Sequence, residues 1–317
     1  MKKQTTLSRA ILFSGLGLFT GEPASIRLLP APAGSGICFQ RIDLPGLPEI
    51  PAQLEYIRQT PRCTLLSRGD ASIQLVEHLL SAISGMGIDN VRIEVAGAEI
   101  PAGDGSAYDF VKLIEKAGIE ELEEPRRVFE IQEPLFWSEG ETHLVALPAD
   151  DFKISYTLHY PQSPLIGSQY FSCTVTPALY RSELASCRTF SLYEEIAPFI
   201  EKGIIRGGGL ENAVVVQGHR ILNPGGIRFP NEMVRHKVLD LIGDLTLLGQ
   251  TIQGHIIAIR SGHASNAAFA RILKHSMLQQ MDQDRKLQHC EKLRILPPLD
   301  GISPFWGHVN ADSMEKK

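Results

Sequence analysis

The sequence predicts an α+β fold made of two halves with a similar plan, and three observations lead to this prediction. The chain has 317 residues, which is more than one ordinary hydrophobic core organises. Patterns typical of strands and helices occur twice in the same order: strands, a long helix, a further strand and a helix. An acidic, proline-containing stretch at 119–126 separates the two repeats and is typical of a linker.

The first half, residues 1–124, is expected to be one α+β domain. Its predicted elements are strands at 24–30 and 36–43, a helix at 72–86, a strand at 90–95 and a helix from Ser106 to Gly118. Ser72 is a suitable N-cap for the first helix, because its hydroxyl can accept a hydrogen bond from a free backbone amide. Apolar residues recur at helical spacing in the segment that follows Ser72.

The second half, residues 125–282, is expected to repeat this plan. Its predicted elements are strands near 127–137, 141–148 and 152–159, a strand at 213–217, a helix at 231–248, a strand at 255–260 and a helix from about 266. Residues 283–317 are charged and contain proline, so we expect a loose C-terminal extension.

Composition excludes some classes of function. The formal net charge of −5 provides no broad basic field, which argues against nucleic-acid binding. Stretches of about 18 apolar residues are absent from the sequence, so no membrane span is expected. The apolar run at 11–19 follows basic residues as in a signal peptide, but its serine and glycines favour a strand and turn. Five scattered cysteines without a CxxC pair indicate reduced thiols and a cytoplasmic protein.

Two of the predicted helices carry polar groups away from their apolar stripes. On the long helix of the second half, His236, Asp240 and Asp244 are each four positions apart and therefore stack along one line. On the first helix, Glu77 and His78 also lie away from the apolar stripe. If the two helices face each other across a cleft, the five side chains converge there.

Such a convergence has the composition of a catalytic zinc site. Imidazole and carboxylate groups are good zinc ligands, and three protein ligands leave a fourth position for water. The pair His236 and Asp240, completed by His78, would provide them. The other interpretation is an ordinary solvated helix face, since an H-x-x-x-D pair also occurs by chance and no HExxH motif is present.

The neighbouring polar residues suit proton transfer. Glu77 stands beside a proposed ligand and could accept the proton of a water molecule as general base. His263 follows an apolar strand, at a position where catalytic residues often lie. As an imidazolium it could stabilise an oxyanion, and either His263 or Glu77 could protonate a leaving amine. Asp244 could keep that imidazole charged.

Short motifs surround these positions. In chain order they are Val76-Glu77-His78-Leu79-Leu80, Gly87-Ile88-Asp89-Asn90, Glu99-Ile100-Pro101, Asp104-Gly105-Ser106-Ala107, Arg188-Thr189-Phe190, Arg235-His236-Lys237-Val238-Leu239-Asp240 and Ser261-Gly262-His263. Together they resemble the motifs of the UDP-3-O-acyl-N-acetylglucosamine deacetylases over roughly residues 7 to 275. That family carries out the committed step of lipid A biosynthesis.

The resemblance implies a fold, a reaction and a metal. It implies a zinc-dependent hydrolase that removes the N-acetyl group of an acylated UDP-N-acetylglucosamine and releases acetate. The two α/β-sandwich domains would pack through their helix layers. The active site would lie between them, with Zn²⁺ on His78, His236 and Asp240. We expect a monomer that acts on this small-molecule substrate.

The resemblance also implies residue roles. Glu77 would be the general base, and His263 would be the charged partner supported by Asp244. Thr189 would donate a hydrogen bond to the oxyanion, and Phe190 and Lys237 would contact substrate. Inserts near 60–70 and 185–212 would frame a hydrophobic passage for the acyl chain. One departure is Phe19, which stands where the family usually has a histidine, so no polar contact is expected from it.

Two other functions fit parts of the sequence. The glycine run at 207–209 could cradle a phosphate in a small-molecule kinase, although it lacks the G-K-[ST] of a P-loop. A metal-stabilised binding protein without catalytic turnover would also use the three ligands. Loss of folding on chelation, with no deacetylase activity at any zinc level, would support that alternative.

Overall fold

The structure is a computed structural model that describes residues 2–58, 60 and 62–294, and it confirms the α+β class. The elements up to residue 125 are β1 (Lys3–Leu7), β2 (Ile11–Leu16), β3 (Pro23–Pro30), β4 (Ile37–Arg41), β5 (Glu49–Pro51), β6 (Ile57–Arg58), β7 (Leu65–Arg68), β8 (Ala71–Gln74), α1 (Glu77–Gly85), β9 (Val91–Ala96), α2 (Tyr108–Ala117) and β10 (Ile119–Pro125). A short 3-10 helix, Leu54–Tyr56, precedes β6.

The later elements begin at residue 128. They are β11 (Val128–Glu130), β12 (Leu135–Glu139), β13 (Thr142–Leu147), β14 (Phe152–Tyr160), β15 (Gly167–Thr174), α3 (Pro177–Leu179), a π-helical turn (Tyr180–Leu184), β16 (Phe190–Leu192), α4 (Tyr193–Glu201), β17 (Val214–Gln217), β18 (Arg220–Ile221), α5 (Glu232–Thr246), β19 (Thr251–Ile259) and α6 (His263–Arg294).

The two main sheets share one strand order. The first sheet runs β2-β3-β9-β4-β5, and the second runs β12-β13-β19-β14-β15, with β11 added beside β19. In the first sheet β4 and β9 are parallel, and in the second β14 and β19 are parallel, while the other neighbours along both orders are antiparallel. The repeat predicted from the sequence is therefore present in the topology. A domain boundary at residue 124 stays a prediction.

Each repeat carries an insert between its fifth strand and its long helix. In the first repeat, β6-β7-β8 form a small sheet before α1. In the second repeat, α4 and the sheet β16-β17-β18 precede α5. These inserts overlap the segments near 60–70 and 185–212 that were predicted from the resemblance.

Helices α1 and α5 pack directly against each other, and α5 also packs on β14 and β15. The Ser81 hydroxyl on α1 donates a hydrogen bond of 2.7 Å to the Leu239 carbonyl on α5. A methyl group added at Gly243 would lie 2.1 Å from the Glu77 carbonyl oxygen. The two backbones therefore approach where only glycine fits, and this contact brings the polar faces of α1 and α5 together.

The helix predicted at 72–86 is wrong in its first part. Ser72 lies in β8, and the helix begins at Glu77. Leu75 between them has a φ of 60°, a left-handed conformation that interrupts the chain direction. Ile73 is buried in a strand with alternating burial, so its apolar character fitted either periodicity.

The linker predicted at 119–126 is also wrong. Residues Ile119–Pro125 form β10, which pairs antiparallel with β1. Its acidic side chains are mostly exposed, which made the segment resemble a loop. Its backbone hydrogen bonds to β1 depend on a partner more than a hundred residues away, so local sequence could not reveal them.

The C-terminal part requires a partial correction. Within the described part of the chain, the residues up to His275 form one compact unit, and those from Ser276 onward belong to a second unit. Helix α6 continues to Arg294, so residues 283–294 of the predicted loose extension are helical. The remainder, 295–317, lies outside the described residues. Among the helices of the described part, none combines the length and hydrophobicity required to cross a membrane.

Candidate functional site

Three of the predicted site residues meet where α1 contacts α5. One potential ligand atom from each of His78, His236 and Asp240 lies within 4.8 Å of the other two. The Nε2 atoms of His236 and His78 are 3.2 Å and 3.5 Å from Asp240 Oδ1. His78 comes from the first turn of α1, whereas the other two residues are one turn apart on α5.

The protonation pattern of this cluster fits a metal ion. His236 Nδ1 lies 3.0 Å from the Cys187 carbonyl, which only accepts hydrogen bonds, so Nδ1 carries the proton and Nε2 presents a lone pair. Burial lowers the pKa of His236, which favours this neutral form. Asp240 Oδ1 is buried without a hydrogen-bond partner. A buried carboxylate oxygen facing an imidazole lone pair is stabilised by a bound cation.

The second oxygen of Asp240 is already engaged. Lys237 Nζ donates a hydrogen bond of 2.7 Å to Asp240 Oδ2, which leaves Oδ1 to face the histidines. Burial alone would raise the pKa of Asp240, but the Lys237 ammonium helps to hold it well below its ordinary value. For Lys237, burial opposes the charged form, and Asp240 nevertheless raises its pKa. The pair is therefore ionised.

Glu77, Asp244 and His263 form a second group beside this cluster. His263 Nδ1 donates to Asp244 Oδ2 at 2.9 Å, while His263 Nε2 lies 3.9 Å from Glu77 Oε1. Burial would lower the pKa of His263, but Asp244 and Glu77 raise it to about 9. Burial raises the pKa of Glu77, against the opposing effect of His263 and His78. A charged imidazole and a buried carboxyl group thus lie side by side.

A cavity of about 720 Å³ opens onto these groups. Its wall includes the predicted site residues Thr189, Phe190, His236, Lys237, Asp240 and His263, together with apolar residues of the second insert, Ile196, Ile200, Ile205 and Val215. His78 and Thr189 also line a small adjoining pocket. Glu77 and Asp244 lie behind this surface and are almost fully buried.

Of the remaining residues singled out from the sequence, Thr189 and Phe190 lie in the second insert, and Phe19 lies in the turn after β2. Thr189 N–H donates to the Gly105 carbonyl at 2.8 Å. The Phe190 ring packs edge to face on Tyr160, with ring centroids 5.6 Å apart. Phe19 lines the cavity, and its backbone N–H donates to the buried Glu99 carboxylate. The position that departs from the family pattern therefore faces the cavity.

Sequence reasoning missed two residues that touch this site. The Thr64 hydroxyl donates to Asp244 Oδ1 at 2.6 Å, and Asn266 Nδ2 donates to Asp244 Oδ2 at 2.8 Å. Asn266 lies one helical turn after His263, a spacing that would have signalled a shared partner. Thr64 precedes β7 in the first insert, and no periodicity or motif connects it to α5.

Comparison with known proteins supports one family. The family model described as LpxC: UDP-3-O-acyl N-acetylglycosamine deacetylase matches residues 4–275, the extent of the first compact unit. The chain is similar to the UDP-3-O-acyl-N-acetylglucosamine deacetylase of Chlamydia felis, with 47% identity over 270 residues, or 85% of this chain and 96% of that protein. The enzyme of Chlamydia pneumoniae is 46% identical over 271 residues, with the same shares covered.

A third relative extends the match slightly. The UDP-3-O-acyl-N-acetylglucosamine deacetylase of Chlamydia muridarum is 43% identical over 286 residues, which cover 90% of this chain and 98% of that protein. Nearly the whole length of each relative is matched. Residues 4–275, which the family model matches, contain both repeats and both inserts. The chain therefore belongs to the UDP-3-O-acyl-N-acetylglucosamine deacetylase family.

Proposed function

We propose that the chain hydrolyses the N-acetyl group of UDP-3-O-acyl-N-acetylglucosamine and releases acetate, the committed step of lipid A biosynthesis. One observation carries this proposal: a possible three-ligand metal site lies beside a buried acid–imidazole pair, at the wall of one cavity, in a chain of this family. Amide hydrolysis needs an activated water, oxyanion stabilisation and a proton for the leaving amine.

The metal is proposed to be zinc. Two imidazole nitrogens and one carboxylate oxygen, from His78, His236 and Asp240, are a ligand set typical of catalytic zinc and leave one position open. Zinc held by these residues would act as a Lewis acid that lowers the pKa of a water and polarises a carbonyl. Lys237 would keep Asp240 ionised and oriented through its bond to Oδ2.

Glu77 is proposed as the general base. Its Oε2 accepts a hydrogen bond from Thr64 N–H at 3.0 Å, so Oε1 is the oxygen that faces His263 and is available for a proton. Burial raises the pKa of Glu77 above that of an exposed glutamate, which makes its carboxylate a stronger base.

His263 is proposed as the charged partner. With its pKa near 9, the imidazolium persists at neutral pH, where it stabilises the developing oxyanion and supplies a proton for the leaving amine. Asp244 holds the Nδ1 side of the ring, which leaves Nε2 directed towards Glu77. The Thr189 hydroxyl, at the wall of the same cavity, would donate to the oxyanion.

The cavity suits a substrate with both an apolar and a polar part. Isoleucine and valine side chains of the second insert would contact the 3-O-acyl chain, and Phe190 and Lys237 would contact the glucosamine portion. The monomeric state and the cytoplasmic location predicted from the sequence belong to this proposal. Light scattering and cell fractionation test them.

The kinase alternative has less support. A phosphate cradle needs free backbone amides, but Gly207 N–H donates to the Leu18 carbonyl at 3.0 Å. Gly209 N–H donates to Asn212 Oδ1 at 2.9 Å. These two amides of the glycine run already bond within the protein.

An acetate-release assay on UDP-3-O-acyl-N-acetylglucosamine, with metal analysis of the same sample, tests the proposal. We expect about one zinc per chain, loss of activity with a chelator and recovery on adding zinc. A folded protein that releases no acetate at any zinc concentration would contradict the deacetylase function and favour the non-catalytic binding protein.

A further inference from the structure

Thr64 lies within hydrogen-bond distance of Glu77, Asp244 and His263. It belongs to the first insert, which carries none of the predicted site residues. The residue precedes β7 and is 4% exposed. Its backbone N–H donates to Glu77 Oε2 at 3.0 Å, and its hydroxyl donates to Asp244 Oδ1 at 2.6 Å. The same hydroxyl oxygen lies 3.3 Å from His263 Nδ1.

The contacts of Asp244 divide between its two oxygens. Oδ2 accepts from His263 Nδ1 and Asn266 Nδ2, whereas Oδ1 accepts from the Thr64 hydroxyl. Rotation of the carboxylate about its Cβ–Cγ bond would move both oxygens together. The hydroxyl therefore resists rotation that would take Oδ2 away from the imidazole. Hydrogen bonds to charged groups are among the stronger ones in proteins.

The hydrogen bond from the Thr64 amide to Glu77 also restricts the rotation of a carboxylate. The Thr64 amide occupies Oε2 of that carboxylate, so Oε1 is left facing His263 Nε2 at 3.9 Å. Glu77 belongs to α1, and Asp244 belongs to α5. One residue of the insert thus connects the two helices at the point where their carboxylates meet.

We propose that Thr64 is a positioning residue that fixes the relative placement of the general base Glu77 and the Asp244–His263 pair. The inference rests on the proposed function, since it presupposes the roles of these residues. Thr64 acts through the two carboxylates: its hydroxyl orients Asp244 and thereby the imidazole, and its amide orients Glu77. Through Thr64, the insert therefore contributes to catalysis.

The test compares Thr64→Val, which removes the hydroxyl at nearly constant volume, with Thr64→Ser, which keeps it. Loss of a hydrogen bond to a carboxylate predicts that kcat falls about tenfold or more in Thr64→Val while KM changes less than about threefold. Thr64→Ser should retain kcat within about threefold of the wild type. Thr6→Val is the matched control, because Thr6 is also buried and donates to the Asn90 carbonyl in another part of the chain.

A double-mutant cycle with Asp244→Asn separates positioning from general stability. If Thr64 acts through Asp244, Thr64→Val should cost far less in the Asp244→Asn background than in the wild type. An equal loss in both backgrounds, equal losses in Thr64→Val and Thr64→Ser, or a loss below about threefold in Thr64→Val would overturn the proposal. Thr64→Ala replaces Thr64→Val in the same cycle if the valine variant does not fold.

Failure of the proposed function gives a different result. A wild-type protein without acetate release would contradict the deacetylase assignment before any Thr64 variant is measured. An active wild type that is slowed by Asp244→Asn but not by Thr64→Val would contradict only the role of Thr64.

Discussion

The two repeats of this chain have the same sheet but contribute differently to the site. The first sheet and the second sheet have equivalent strand orders, with the parallel pair at equivalent positions. The long helix of the first repeat, α1, spans nine residues and offers Glu77 and His78 at its first turn. The corresponding α5 spans fifteen residues and offers polar groups over more than two turns.

The two repeats thus share an architecture but differ in the polar side chains that they bring to the site. Burying one face of a sheet under helices requires only apolar residues at the right period, so both repeats reach the same architecture. Chemistry requires different groups at different places. The second repeat provides two potential ligands and the charged His263 with its partner Asp244, whereas the first provides one potential ligand and the buried Glu77. Neither repeat holds a complete site.

Removing the proposed general base, Glu77 of the first repeat, should have the largest effect on activity. Glu77→Gln keeps the shape of the side chain but cannot accept the proton, so kcat should fall about 10²- to 10⁴-fold. Zinc content should stay at the wild-type level, because the three ligand residues are unchanged. Steady-state kinetics and metal analysis on one preparation measure both. Full activity of Glu77→Gln would show that the base lies elsewhere.

Removing the only ligand proposed from the first repeat should weaken metal binding. His78→Ala leaves two ligand side chains on α5, and zinc affinity should fall by more than the roughly 10- to 100-fold typical of losing an outer-shell partner. Competition with a chromophoric chelator measures the affinity. His143→Ala, an exposed histidine on β13, serves as the control. Unchanged affinity in His78→Ala would mean that α5 binds the metal without α1.

The pairing of His263 with Asp244 in the second repeat should determine the pH above which activity falls. Because Asp244 and Glu77 raise the pKa of His263 to about 9, its imidazolium is present below that pH and is lost as pH rises through it. We expect kcat to decline above about pH 9. In Asp244→Asn the decline should move towards the ordinary histidine value of about 6.5. A pH profile whose alkaline limb does not shift in this variant would contradict the pairing.

Adding one methyl group at Gly243, where α1 and α5 are in contact, should destabilise the protein. Gly243→Ala places a carbon 2.1 Å from the Glu77 carbonyl, so α1 and α5 must separate. We expect a loss of about 1–3 kcal/mol in the free energy of unfolding, with a fall in kcat because Glu77 moves. Denaturant unfolding measures the first effect. Gly225→Ala, where no atom lies within 4 Å, is the control and should be nearly neutral.

Much of this protein could be predicted from local pattern. The period of α5 predicted a helix at 231–248, and the structure has one at Glu232–Thr246. The same reasoning placed His236 and Asp240 on one face, because residues four apart on a helix lie together. That His78 would join them was expected only if the two helices face each other, and the structure brings the three together. The motifs around them led to the family, since several short matches in order rarely occur by chance.

Contacts between residues far apart in the chain could not be predicted from local sequence patterns. Strand β10 is acidic and exposed, and it is a strand because β1 lies beside it. The left-handed Leu75 separates β8 from α1, although apolar residues continue at helical spacing across the junction. Thr64 joins the site through an insert whose position relative to α5 depends on the whole fold.

Residue types and their spacing therefore indicated the candidate site residues, since helical period and side-chain chemistry are local properties of a chain. Folding in three dimensions set which groups face one another. The 3.9 Å between His263 and Glu77, and the grouping of the three potential ligand atoms within 4.8 Å of one another, arise from the packing of elements distant in sequence. Such packing depends on close fit at contacts like Gly243, which no local pattern encodes.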